Sequence, residues 1–231
     1  EHYLSPNTCA LQTRTLKEII GLVWMNHASL FLQNREYTRA VLYYEKAKKF
    51  LPQDPFLEEL LGFSLILSGR QQEGHALLSA ISATPPPHFL YPSPIVKEYL
   101  EGNVDASGIA LLFEDPPKDR AGWLRKKERF EILLREFPNF TTGWRYLADI
   151  WTHLHRPKET LYALEQARQK NPKDPDTLFA LTSLYAAKRD FLKAWETFHQ
   201  LQDLLQGRTH FQRELFSLQC SLRRQFAEVA I

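Results

Sequence analysis

Between Thr141 and Gln206 large, small and helix-ending residues recur in two successive windows of 34 residues. Trp144, Leu147, Ala148, Trp151, Thr160, Leu164, Ala167 and Pro172 return as Leu178, Leu181, Thr182, Tyr185, Ala194, Phe198, Leu201 and Gln206. Within each window the apolar residues stand three and four apart, the spacing of one helix face. The pattern predicts two helices per window: the first offers bulky residues, and the second carries a small residue where the two cross. A period of this length marks stacked supersecondary units, each burying its apolar face against the next.

The same register returns near the N-terminus in Trp24, Ala28, Phe31, Ala40, Tyr44, Ala47 and Pro52, with His27 where leucine is expected. A weaker copy follows in Leu61, Gly62, Leu65, Gly74, Leu78, Ile81 and Pro86, with Glu58 at a bulky position. This arrangement resembles the tetratricopeptide-repeat (TPR) family. The resemblance implies an all-α solenoid of helical hairpins wound as a right-handed superhelix. Pro52 to Pro86 and Pro138 to Pro172 are each 34 residues, whereas Pro86 to Pro138 is 52, one repeat plus 18. The expected organisation is a single array over 1–231. It places a first repeat with an extended helix at 11–54, a second at 55–88, a degenerate repeat with an insertion at 89–140, repeats at 141–174 and 175–207, and a capping helix at 208–231.

Element boundaries follow from local signals. Ser5-Pro6-Asn7-Thr8 reads as a capping segment and Thr15-x-x-Glu18 as a capping box, with a long first helix from about Leu11 to Gln33. Its partner spans Tyr37 to Leu51, and the next pair Phe56 to Ser68 and Gln71 to Ile81, broken at Ser68-Gly69. From Thr84 to Arg120 seven prolines fall in 37 residues, which forbids continuous helix. Short helices remain allowed from Ser93-Pro94 through Leu100 and from Ala106 to Phe113, so this part reads as a degraded first helix plus a loop. Ala121 to Phe137 is an amphipathic second helix with Trp123, Phe130, Leu133, Leu134 and Phe137 inward and a solvated basic rim of Arg125, Lys126, Lys127 and Arg129. Thr209 to Val229 carries an apolar stripe of Phe211, Leu215, Leu218, Leu222, Phe226 and Val229, which would cover the bare side of the last repeat.

Composition narrows the chemistry. The formal net charge is +2, so no global field draws the chain to nucleic acid or anionic lipid. The longest apolar stretch, Ile19 to Leu32, is broken by Gly21, Asn26, His27 and Ser29 and reads as a packed helix, not a membrane span. Cys9 and Cys220 lie far apart and read as buried or half-buried thiols, not a disulfide framework. The first residue is Glu1 rather than Met, which leaves open a removed leader or a longer parent protein. His153-x-His155 near Asp149 lacks a third and fourth metal ligand at recognisable spacing. No phosphate-cradling glycine loop and no nucleophile motif is present, and solvation explains the carboxylate pairs Glu58-Glu59 and Glu114-Asp115. No catalytic residue, cofactor or metal is expected, and a cytoplasmic location is.

The remaining candidate is the concave surface. Carried over from the resemblance, its front half would be Leu22, Met25, Asn26, Ser29, Phe56, Glu59, Leu60, Phe63 and Ile66, and its rear half Thr142, Arg145, Tyr146, Asp149, Thr152, Asp176, Phe179, Ala180 and Ser183. Many TPR cochaperones hold a terminal carboxylate with lysine, asparagine and arginine; the matching positions here are Met25, Ser29, Leu60, Arg145, Asp149 and Ala180, so that clamp is absent. The expected function is a non-catalytic scaffold binding a peptide or protein segment. Met25, Phe63 and Ile66 would take apolar anchors and Arg145, Tyr146 and Asp149 would fix polar register, with Ser29, Phe56, Leu60 and Phe179 beside them. On that reading Phe63→Glu abolishes binding without unfolding. The alternatives are a helical accessory region of a longer enzyme and a chaperone of the secretion-system kind, whose usual shorter and acidic chains differ from this one of pI near 8.5. The insertion, through Phe89, Leu90, Tyr91 and Ile95, would be able to fill the front groove itself.

Overall fold

The computed structural model describes residues 15–52, 54–83, 93–205 and 212–229, with side chains for 215–224 of the last stretch. Among these residues there are twelve α-helices and no strand. Expectations for Ser5 to Thr8, Cys9, Phe89 to Tyr91 and Phe211 lie outside the described residues, as do those for the Phe226 and Val229 side chains. Two compact units are formed, one holding residues 13–143 and the other residues 144–231.

The first unit opens with α1 (Leu16–Gln33), packed on α2 (Tyr37–Lys48). Thr15 and Glu18 close the predicted capping box: Glu18 N donates to Thr15 Oγ1 at 3.3 Å and Thr15 N donates to Glu18 Oε2 at 2.7 Å. Thr15 is itself extended, so the helix starts at Leu16 and not near Leu11. Next come α3 (Pro55–Leu67), begun by Asp54 accepting from Leu57 N, and α4 (Gln71–Ala83). Every residue of α3 from Glu59 to Ile66 is buried, because α2, α4 and later helices cover it on all sides. Gly62 and Gly74 let α3 and α4 touch: a Cβ on Gly74 would lie 2.6 Å from the Gly62 carbonyl oxygen. Gly74→Ala is therefore expected to cost about 1–3 kcal/mol by forcing the helices apart, read as a lower denaturant midpoint for the whole chain.

The proline-rich region contributes α5 (Pro94–Leu100) and α6 (Ala106–Phe113), followed by α7 (Arg120–Glu136). Where a degraded first helix and a loop were expected, α5 and α6 are two short helices that pack on each other. The turns show why. Arg35, Gly69, Gly102, His155 and Arg189 all have positive φ. At each, the next residue's N–H reaches back to the carbonyl five residues before it, as in Glu36 N to Phe31 O (2.8 Å) and Asn103 N to Glu98 O (2.8 Å). That is the Schellman ending of a helix. It recurs at matching places in the pairs on either side of the proline-rich region, so α5 turns into α6 as the first helix of every other pair turns into the second.

The second unit holds most of α8 (Thr141–His153), then α9 (Pro157–Lys170), α10 (Pro175–Ala187), α11 (Phe191–Leu204) and α12 (Gln212–Val229). Thr182 on α10 and Thr197 on α11 sit at the close crossing, where Thr182 Oγ1 donates to Thr197 Oγ1 at 3.0 Å. Helix α12 packs on α10 and α11 with Leu222 fully buried and Leu215 and Leu218 half-buried. Cys220 is exposed, against the expectation of a buried or half-buried thiol, because it lies off that stripe.

Candidate functional site

The front half of the expected groove is filled. Phe63 is 0% exposed, with its ring centroid 6.0 Å from Tyr99 of α5 and 5.8 Å from Phe113 of α6. Leu60 and Ile66 are buried with it. Ser29 turns toward α2, donating to Met25 O at 3.1 Å and lying 2.9 Å from the Tyr44 hydroxyl, and Met25 packs against the same core. Of the front candidates only Asn26 and Phe56 are exposed. The apolar positions Leu60, Phe63 and Ile66 are core rather than open anchor sites, because the short α5–α6 hairpin lies over α3. Glu59 is also enclosed, accepting from Ser93 Oγ at 2.8 Å.

Other polar groups hold this unit together. Glu98 reaches from α5 to the start of α8, accepting from Thr142 N at 3.1 Å and Thr142 Oγ1 at 2.5 Å, so a carboxylate caps that helix. Thr142 is consequently buried rather than groove-lining. The basic rim of α7 is partly internal: Lys126 is buried and donates to Glu114 O at 3.0 Å, and Arg129 grips the Glu114 carboxylate, which Arg35 also contacts. Burial raises the Glu114 carboxyl, but the two guanidinium groups outweigh it and hold it below the ordinary carboxylate range.

The second unit keeps an open cleft of about 620 Å³. Its walls come from α8 (Arg145, Tyr146, Ala148, Asp149, Thr152), α9 (Thr160, Leu164) and α10 (Asp176, Ala180, Ser183, Leu184, Ala187). Seven of the rear candidates line it, for a plain geometric reason. Equivalent residues on α8 and α10 stand about one repeat apart, and helical spacing turns Arg145, Asp149 and Thr152 on one helix, and Asp176, Ala180 and Ser183 on the other, to the same side. Phe179, 38% exposed, is not part of the lining. Ala148, Thr160, Leu164, Leu184 and Ala187 also line it and are not among the candidates, because the first three hold packing positions of the register and the two on α10 lie past the candidate positions.

At one end of the cleft Arg145 bridges two carboxylates, at 3.3 Å to Asp174 Oδ2 and 2.6 Å to Asp176 Oδ2. Burial works against its charge, but Asp174 and Asp176 outweigh it and raise the guanidinium above its ordinary value. Asp174 is also the N-cap of α10, accepting from Thr177 N at 3.0 Å. One turn along α8 stands Asp149, its side chain 63% exposed, with His153 Nε2 3.7 Å away. Burial raises the Tyr146 phenol above its usual range. Among the described residues no group of three or more His, Cys, Asp or Glu is placed to hold a metal ion, and no helix is long and apolar enough to cross a membrane.

No family model matches the sequence, and no curated protein is significantly similar to it. Solved structures are similar in outline. TTC0263, a thermophilic TPR protein of Thermus thermophilus, is 15% identical with a TM-score of 0.46, over 87% of this chain and 99% of that one. The TPR2AB domain of yeast Sti1, solved as a complex with pHSP90, is 12% identical with a TM-score of 0.43, over 89% and 99%. MamA of Desulfovibrio magneticus RS-1 is 15% identical with a TM-score of 0.39, over 85% and 99%. Likeness this loose says nothing of what the chain binds, and the architecture rests on features of the chain itself. By the 34-residue register, the close helix crossings and the recurring Schellman turns, each unit is all-α among the described residues and built of TPR-type helical hairpins.

Proposed function

We propose that this chain is a non-catalytic scaffold that binds a segment of another protein in the cleft between α8 and α10. One observation carries the reading. Among the described residues, α5 and α6 cover the equivalent surface of the first unit, whereas this cleft stays open and is walled by small residues on α10, Ala180, Ser183 and Ala187. Short side chains on facing helices leave room for side chains from elsewhere. Ala148, Leu164 and Leu184 offer apolar contact while Thr152, Thr160 and Ser183 offer hydroxyls, the mixture of an apolar pocket with a few orienting polar groups.

The test fills the cleft. Peptides selected from a displayed random library on the parent chain should lose at least about tenfold in affinity for Ala180→Trp, the effect expected when a central contact is removed. Circular dichroism would first establish that the variant melts within a few degrees of the parent. Selected peptides that bind both chains equally would remove the cleft from consideration.

A further inference from the structure

The charges around the cleft decide what kind of segment it accepts, an inference that rests on the binding role just proposed. The charged residues among its walls are Arg145, Asp149 and Asp176, and the cation among them is already committed. Arg145 lies between Asp174 and Asp176, with its side chain only 23% exposed. An incoming carboxylate would find the guanidinium held by two carboxylates and would approach Asp149 and the outer face of Asp176, whose side chains are 63% and 55% exposed. An incoming cation meets the opposite situation. The three carboxylates exceed the one guanidinium, and the two exposed ones stand on the facing helices α8 and α10.

Along α10 beyond Asp176 the wall turns apolar and small. Ala180 and Leu184 follow Asp176 by four and eight residues on α10, which at the helical rise sets them about 6–12 Å further along. An extended chain covers that distance in about two to four residues. We infer that the partner is a protein segment carrying a lysine or arginine two to four residues from a leucine, isoleucine or methionine, the cation drawn by the exposed carboxylates of Asp149 and Asp176 and the aliphatic side chain seated on Ala180 and Leu184. Acidic and purely apolar segments are disfavoured, the former by repulsion from the two exposed carboxylates and the latter because they leave those carboxylates unmatched.

An array of immobilised 12-residue peptides probes this directly. Each carries one leucine and, two, three or four residues from it, a lysine, arginine, glutamine or glutamate in an otherwise alanine–serine background. It is probed with the full 231-residue chain and with Asp149→Asn, Asp149→Lys and Ala180→Trp. The parent should retain lysine and arginine peptides about three- to tenfold better than glutamine ones and glutamate peptides least, with the preference shrinking as salt is raised. Asp149→Asn should flatten the preference to within about twofold, and Asp149→Lys should turn it toward glutamate. Asp149 is an exposed residue of α8, so neither change threatens the fold. Equal retention of lysine and glutamine peptides, still abolished by Ala180→Trp, would overturn the basic-partner inference and leave the cleft as a binding site. Retention that survives Ala180→Trp, or no retention of any peptide, would overturn both.

Discussion

Phe63→Ala should destabilise the 13–143 unit by about 3–5 kcal/mol, the range for removing a fully buried phenylalanine. The ring has no exposed surface and holds Tyr99 and Phe113 against α3, so its loss removes contacts that seat both α5 and α6. Urea unfolding of the whole chain would show the drop as an earlier first transition. Phe63→Leu, which keeps most of the volume, should lose less than about 1.5 kcal/mol. A loss below about 1 kcal/mol for Phe63→Ala would mean that the short hairpin does not bear on this residue. Phe63→Glu, expected from the sequence to leave the fold intact, would instead place an unpaired carboxylate in the core and unfold the unit.

The second large effect is a pH dependence arising from Glu59. Burial raises its carboxyl from 4.5 to about 7, with the Ser93 hydrogen bond opposing the rise. Between those values the folded chain holds a proton that the unfolded chain has released. Stability from this group is therefore full below about 4.5 and is lost as pH rises through 7. The loss amounts to about 3 kcal/mol. Glu59→Gln keeps an oxygen to accept from Ser93 and has no charge to desolvate. Its stability advantage over the parent should be near zero at acid pH and should open across this window. Other titrating groups, Glu98 among them, act in both chains and cancel in the difference. Denaturant melts of the pair at several pH values would check it, and parallel curves would show that the Glu59 carboxyl meets water in the folded chain.

Much of the fold was legible because helix signals are local. The Thr15–Glu18 box and the three-and-four spacing of the apolar residues set helix ends and faces without reference to distant residues. The small positions Gly62 and Gly74 were legible for the same reason. The recurring left-handed turns were not, since three of the five are held by Arg35, His155 and Arg189, and no residue type marks them. Their conformation is imposed by the hairpin that they close.

The candidate site divides along the same line. Register alone turned Arg145, Asp149, Asp176, Ala180 and Ser183 to one side, and the structure finds them around one cleft. Register also turned Leu60, Phe63 and Ile66 to one side, but whether such a side stays open depends on what else in the chain comes to rest on it. Outside the proline-rich region the sequence by itself determined the helices, their pairing and which face each first helix presents, because these follow from periodicity and caps within tens of residues. Only the tertiary structure decided that α5 and α6 lie on the front face, that Arg145 is neutralised by two aspartates, and that among the described residues the rear cleft stays open. Those outcomes turn on contacts such as Phe63 with Phe113, 50 residues apart, and Arg145 with Asp174, 29 apart, which no local pattern encodes.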